Sequence, residues 1–414
     1  MKIAVLPIIA YIDPGTGAML FSVIMGIVSV LFFAIKGALV KIKFMISGGK
    51  VETSEDKIPL VIFAESKRYW NVFKPVCDAL ENRKFMCEYW TTSEDDPIFN
   101  EKYEYVRPIF TGEGNRAYAK LNLMNAYICL STTPGLDVYQ WKKSKNTECY
   151  IHMFHAIAES VLYRMFGIDY YDEILATGEV EEGYIRRIEK KRNLPQKKIT
   201  VVGIPYMDVL LNRRLTAINE TKNETVILLA PSWGINSIIN KYGEYFIDSL
   251  INTGYKIIFR PHPQSFTSDP DIMAGLEKKY KDNSKFVWDR SADNFASLNE
   301  ADVLISDFSG IIYDFALCFD KPVIYASSEF DFSPYDAWWL NGDSWQVNTL
   351  SCMGRELKED EIDNIKDIID DLLVNEKFKI MLEREKNIAW KNIGKSADII
   401  ADYITNRFSE LTIS

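Results

Sequence analysis

The sequence predicts an α/β fold in which two parallel-sheet domains in tandem face a cleft, preceded by one membrane-spanning helix. Three observations carry this: a long apolar run near the N-terminus, short apolar runs that alternate twice over with amphipathic segments, and a set of strand ends that close on polar residues. At roughly 150 residues per domain, 414 residues accommodate two or three domains with a large core. Hydrophobic residues at 47% and charged residues at 26% exclude wholesale disorder and a polytopic transporter.

The anchor comes first. From Ala18 to Ile35 only Ser22, Gly26 and Ser29 interrupt strongly apolar residues, and the run resumes after Lys36 through Val40. A helix over 18–40 is about 34 Å long at ~1.5 Å per residue, enough for ~30 Å of hydrocarbon. No acidic residue lies between Pro14 and Val51, while Lys36, Lys41, Lys43 and Lys50 crowd the C-terminal flank against Lys2 and Asp13 on the other. The positive-inside rule then predicts a single-pass protein of the cell membrane with residues 41 onward, the catalytic part, in the cytoplasm. Ala18, Ser22 and Gly26 repeat at the spacing that lets helices approach closely in lipid. A cleaved signal peptide is the competing account; the length of the run and the lack of an Ala-x-Ala site weigh against it.

After a polar linker around Ser47 to Lys57, strands are predicted at Pro59–Ala64, Phe85–Trp90, Ala126–Leu130, Cys149–Phe154, Glu173–Ala176 and Ile199–Val202, with helices at Tyr69–Asn82 and Glu179–Lys191. A break at Leu215 to Glu224 holds the tandem Asn219-Glu-Thr and Asn223-Glu-Thr, glycosylation sequons without consequence in a cytoplasmic linker. The second series has strands at Thr225–Ala230, Lys256–Arg260, Phe286–Trp288, Asp302–Ser306 and Val323–Ala326. Its helices are Ser237–Asn252, Asp271–Tyr280, a short one near Asp293 and Gly310–Phe319, followed by a charged helical stretch from Glu359 to about Lys391 and an amphipathic one from Ser396 to Phe408. The expected division is an anchor over 1–50, domains over 51–222 and 223–395, and a terminal helix over 396–414.

The net charge of −10, from 58 acids against 48 bases, argues against nucleic acid as a partner. The six cysteines (Cys77, Cys87, Cys129, Cys149, Cys318, Cys352) show no Cys-x-x-Cys spacing and read as free thiols in a reducing compartment, with no zinc site. Only three histidines exist, His152, His155 and His262, so the list of groups that titrate near neutral pH is short. His152 and His155 leave a strand with Glu159 four residues on; without a matching ligand set elsewhere a general base fits better than a metal. In the second domain three strand exits are polar: Ala230-Pro-Ser232-Trp-Gly234, Arg260-Pro-His262-Pro, and Ser306-Asp307-Phe-Ser309-Gly310 opening a helix. A helix N-terminus favours an anionic phosphate and arginine suits bidentate binding of one, against the blander accounts of an N-cap by Ser309 and a structural Pro turn.

In order and spacing the His155 loop, Ala230-Pro-Ser-Trp, Arg260-Pro-His-Pro and Ser306-Asp-Phe-Ser resemble the CDP-glycerol glycerophosphotransferase family, the teichoic-acid polymerases and primases. Tyr313-Asp314-Phe-Ala with Lys321-Pro322-Val-Ile extends the resemblance, which covers roughly residues 120 to 330. It implies a GT-B fold of two Rossmann-like domains, acceptor domain first and CDP-donor domain second. His155 matches the family's catalytic histidine, and Arg260 and His262 its Arg-x-His-Pro residues, expected both to act in catalysis by holding transition-state charge and to bind the donor; Ser232, Ser306, Asp307, Ser309 and Gly310 join them as donor contacts. Departures are also visible: Phe154-His155-Ala156-Ile157 stands for Trp-His-Gly-Thr, Gly310 for a second serine, and Trp338-Trp339 with Trp345 are unlike the family. The Asp13-Pro-Gly-Thr-Gly17 segment resembles leaders of bacterial surface-polysaccharide proteins more weakly.

The expected activity is transfer of glycerol phosphate or a related polyol phosphate from a CDP-polyol donor to a lipid-linked acceptor, with release of CMP and no cofactor or metal. Self-association, the polyol and the acceptor are left open. A UDP-sugar glycosyltransferase or epimerase-like enzyme, and a non-catalytic membrane scaffold, are the rival expectations. A reporter fused beyond Lys50 is expected to register as cytoplasmic; activity confined to the opposite side reverses the topology.

Overall fold

A computed structural model gives the structure and describes residues 57–157, 159–218, 224–291, 293–307, 309–326, 333, 335–336, 344–375 and 377–413. The expected span over 18–40 with its lysines, residues 219–223 of the Asn-Glu-Thr tandem and Trp338-Trp339 lie outside these. Among the described residues no helix is long and apolar enough to cross a membrane.

The first sheet holds β1 (Ile58–Ala64), β2 (Cys87–Thr91), β3 (Val106–Phe110), β4 (Ala126–Ser131), β5 (Thr147–Met153), β6 (Glu173–Ala176) and β7 (Lys198–Val201). The second holds β8 (Val226–Leu229), β9 (Lys256–Phe259), β10 (Phe286–Trp288), β11 (Val303–Ser306), β12 (Val323–Ala326) and β13 (Gly354–Leu357). Spatial orders are 3-2-1-4-5-6-7 and 10-9-8-11-12-13, and every pairing is parallel. Parallel strands covered on both faces need unbroken apolar runs, and Leu60 to Ala64 and Val303 to Ile305 are fully buried. In each sheet the winding reverses beside the first strand, between β1 and β4 and between β8 and β11. Such a switch point opens a crevice at the strands' C-terminal ends.

Several elements were not anticipated, among them helix Asn115–Leu121 and short helical turns such as Ser265–Ser268. β3 reads Val-Arg-Pro-Ile-Phe and β13 Gly-Arg-Glu-Leu, edge strands too polar to signal themselves, and the helix Pro205–Thr216 has weak periodicity. The charged helical stretch expected from Glu359 to about Lys391 consists of a short 3-10 turn, Glu359–Asn364, followed by helices Ile365–Val374 and Lys377–Ala389.

The chain crosses between the sheets on helix Pro205–Thr216 and returns near residues 390–396. One buried apolar cluster spans the junction, joining Ile157, Tyr184, Ile204 and Met207 to Leu228, Leu304, Phe315 and Trp390. After the return, helix Ser396–Ile413 packs Ile400, Ala401 and Ile404 into the first domain's core beside Leu60, Ile62 and Leu80. Asp208 clamps the two crossings by accepting the backbone N–H groups of Gly394 (2.8 Å) and Ser396 (2.9 Å). Gly203 permits the close approach: its φ is +93°, and a Cβ there would lie 2.3 Å from the Lys391 carbonyl oxygen.

Removing the Asp208 carboxylate strands two N–H donors in a partly buried loop. Asp208→Ala is expected to lower the unfolding free energy by about 1–3 kcal/mol, read as a reduced urea midpoint at constant slope. Asp398→Ala, which removes an exposed partner of Arg83, should cost under ~1 kcal/mol. Equal losses would place the brace elsewhere.

Candidate active site

The donor-side wall is built at the β8/β11 switch point. Ser306 is completely buried and its hydroxyl donates to the Ala230 carbonyl (2.6 Å). Asp307, also buried, accepts the N–H groups of Ser232 and Ile238, both at 2.9 Å. These two side chains thus bond the loop after β8 rather than a ligand. Ser232 is buried with no hydrogen-bond partner for its hydroxyl among the described residues, so it keeps a donor in reserve. Ser309 and Gly310 precede helix Ile311–Phe319, and their carbonyls accept the N–H groups of Ile312 (3.2 Å) and Tyr313 (3.1 Å), so what this helix end offers an anion is its dipole and the first N–H of the turn. Among the described residues a Cβ at Gly310 would meet nothing within 4 Å.

His262 leaves β9 and is exposed beside the Trp233 ring, with 6.3 Å between centroids. Its Nδ1 accepts the Gln264 N–H (3.1 Å), so the neutral ring carries its proton on Nε2 as a donor. Partial desolvation holds its pKa below the ordinary value, with Asp307 pulling the other way. Arg260 differs from the sequence expectation. Its guanidinium is paired with Asp289 and donates to Ser291 Oγ (3.2 Å) and the Ser291 carbonyl (2.8 Å). Desolvation alone would raise Asp289, but hydrogen bonds from Ser291, Ser297 and Arg260 outweigh it and hold the carboxyl at about 2. In this structure Arg260 braces the loop after β10, its charge already matched.

The opposing wall is the β1/β4 edge of the first sheet. His155 is half-buried; its Nδ1 lies 2.7 Å from the hydroxyl of fully buried Thr132, just past β4, and Tyr69 meets its ring edge-on at 5.1 Å. His152 is separate from this site. It is completely buried, Nε2 3.0 Å from Tyr163 OH, among the rings of Phe154, Tyr163 and Tyr171.

Between the walls lies a cavity of about 460 Å³. Arg68, Tyr69, His155 and Ala156 line it from the first domain, Tyr206 from the crossing helix, and Asp293, Asn294, Gly310 and Asp314 from the second. Asp314 is partly buried in the first turn of helix Ile311–Phe319; desolvation pushes its carboxyl up to about 7, with His155 acting in the opposite sense. The structure therefore brings His155 and Gly310 to one cavity, sets Ser232, His262 and Ser309 on the same domain edge as Gly310, and turns Ser306, Asp307 and Arg260 to support. Sequence reading missed Arg68, Thr132, Tyr206 and a role for Asp314. The polar exits Glu65-Ser-Lys-Arg68 and Ser131-Thr132 carried the signal that was used only in the second domain.

Residues 140–337, which include the His155 loop, all three polar exits of the second domain and the helix carrying Asp314, match the family described as CDP-Glycerol:Poly(glycerophosphate) glycerophosphotransferase. The chain is a glycerophosphotransferase-like enzyme. No curated protein matches its sequence. Among solved structures it is similar to the wall teichoic acid polymerase TagF in a form soaked with CDPG, at 16% identity over 91% of this chain and 98% of that one, TM-score 0.57. A UDP-GlcNAc 2-epimerase from Methanocaldococcus jannaschii, in complex with UDP-GlcNAc and UDP, matches at 16% identity over 84% of this chain and 99% of that one, TM-score 0.54. At these identities the likeness is of fold: an α/β architecture of two parallel sheets matching GT-B glycosyltransferases.

His152 is a buried core residue apart from the glycerophosphotransferase-like site, and its titration tests that. Burial, with a smaller push from His155, lowers its pKa from 6.5 to about 3. The unfolded chain then takes up the proton first, so stability is full above about pH 6.5 and falls as pH drops toward 3, by on the order of 1 kcal/mol per unit. His152→Gln should flatten this slope in urea unfolding at stepped pH while leaving turnover largely intact. An unchanged slope contradicts the assignment.

Proposed function

We propose that the protein transfers glycerol phosphate, or a related polyol phosphate, from a CDP-activated donor to a lipid-linked surface-polymer acceptor at the cytoplasmic face of the cell membrane, releasing CMP. The family match carries this reading, because it includes both His155 and the second domain's polar exits. With Thr132 engaging Nδ1, His155 has Nε2 to take the acceptor's hydroxyl proton. The resulting oxygen attacks the β-phosphorus, a P–O bond forms, and the bond from that phosphorus to the CMP oxygen breaks. Charge that builds on the pyrophosphate meets the N-terminus of helix Ile311–Phe319, the His262 Nε2–H and the Ser232 hydroxyl. Arg260 acts one step back, by fixing the loop after β10 through Asp289 and Ser291. Residues 18–40 supply the anchor that keeps the site near a lipid-linked acceptor.

The UDP-sugar reading shares the fold with the epimerase but lacks a comparable family match. Product release from CDP-glycerol, CDP-ribitol and UDP-GlcNAc, measured on membranes containing the full-length protein, separates them. CMP release is expected, and His155→Ala should lower it by about 10²–10⁴-fold, the usual worth of a general base, with donor affinity by calorimetry little changed. UDP release alone overturns the donor class, and no binding of any nucleotide overturns the enzyme reading.

A further inference from the structure

A base that takes a proton becomes a cation, and a half-buried imidazolium needs a counter-charge. In Ser-His-Asp sites a carboxylate on the second ring nitrogen supplies it. Here the group on His155 Nδ1 is the Thr132 hydroxyl, which orients the ring and carries no charge. The cavity itself holds the alternative, since Asp314 lines it together with His155 from the opposite domain.

We propose that Asp314 is the positioning residue that balances the charge on His155 during transfer, facing the imidazole across the cleft from the first turn of helix Ile311–Phe319. This rests on the transferase reading above. The other ionisable groups around it do not compete for that role. Tyr206, from the crossing helix, is hydrogen-bonded to Asn294, and burial raises its phenol far above neutrality. Asp293 is held by both terminal nitrogens of Arg213 (3.0 and 2.6 Å). Arg68, which lines the cavity from the first domain, is already 3.6 Å from Glu65, and Cys318, one turn on in the same helix, is a buried thiol whose pKa burial raises. His155 is thus the group facing Asp314 that gains positive charge in the reaction.

The step balances. The acceptor O–H bond breaks and its proton moves to His155 Nε2, while the new O–P bond forms and the bond to CMP breaks. The imidazolium and the Asp314 carboxylate form a neutral pair, and the proton then passes to solvent. Desolvation, which pushes the carboxyl up to about 7, leaves it able to exchange that proton near neutral pH. Because base and counter-charge come from different domains, the pair exists only while the two walls are docked.

Three variants of the full-length protein test this: Asp314→Asn, Asp314→Glu and Asp314→Asn combined with His155→Ala. Asp314→Asn should reduce the rate constant of CMP release from CDP-glycerol at least about tenfold, ~1.4 kcal/mol, with donor KM nearly unchanged and the pH–rate profile altered. Glutamate should recover part of the loss. On the His155→Ala background Asp314→Asn should add little, since the two act as a unit. A raised donor KM at unchanged rate constant, or additive losses, overturns the proposal and makes Asp314 a donor contact. Independently of turnover, ¹³C NMR of labelled aspartate carboxyls should show the Asp314 midpoint rising in His155→Ala; an unmoved midpoint refutes the pairing. If wild type releases nothing from any CDP-polyol, the transferase reading fails by itself, and the carboxyl titration alone then decides whether the two side chains are paired.

Discussion

A carboxylate withdrawn from water must find hydrogen-bond donors inside the protein, and Asp307 finds them in the backbone of the next strand's loop. Its two oxygens accept Ser232 N–H and Ile238 N–H, while Ser306 beside it bonds the Ala230 carbonyl. Three contacts therefore bond the ends of β8 and β11 to each other at the point where the sheet's winding reverses. Breaking one partner of such a buried set costs more than an exposed contact because the group left behind has no water to turn to. The position of Ser232 and the direction of helix Ile311–Phe319 both follow from that fixture. So does the placing of polar groups from separate strands along one edge.

The second requirement is that this wall stay opposite the first domain. Apolar packing across the junction does most of it, and a short segment near the cleft refines it. Trp345 donates its indole N–H to Glu385 (2.8 Å) and its backbone N–H to the Tyr184 hydroxyl. Next to it, Gln346 donates to the Ile157 carbonyl (3.2 Å), two residues from His155, and accepts from Tyr313 OH (2.8 Å), one residue before Asp314. One residue thus contacts both the loop that carries the base and the helix that carries the carboxyl. Opening the cleft would cost these bonds together, which couples docking of the domains to the chemistry between them.

Much of this was legible in the sequence because parallel strands buried on both faces leave little choice of residue. Runs such as Val303-Leu-Ile-Ser and Glu173-Ile-Leu-Ala announce themselves, and the helices expected from Ser237 and Asp271 begin at Ile238 and Pro270. Edge strands are covered on one side only, so β3 and β13 tolerate Arg107, Arg355 and Glu356 and lose the pattern. Site residues divide by whether their role is local. His155 and Gly310 could be named from the strand or helix they adjoin. Arg260 looked like a phosphate ligand because nothing in its own segment shows that Asp289, from the next strand exit, matches its charge. Asp314 was invisible as a partner of His155, since 158 intervening residues and the docking of two domains bring them to one cavity.

The central claim is that both walls act on one donor in one cleft. A crystal structure of the full-length His155→Ala protein with CDP-glycerol tests it most directly. The account predicts the pyrophosphate against the N-terminus of helix Ile311–Phe319 and within reach of His262, with the β-phosphorus turned toward position 155 and the Arg260–Asp289 pair intact. A nucleotide seated instead in the second cavity, about 430 Å³ beside Tyr184 and Trp345, or held by Arg260 with Asp289 displaced, would contradict it.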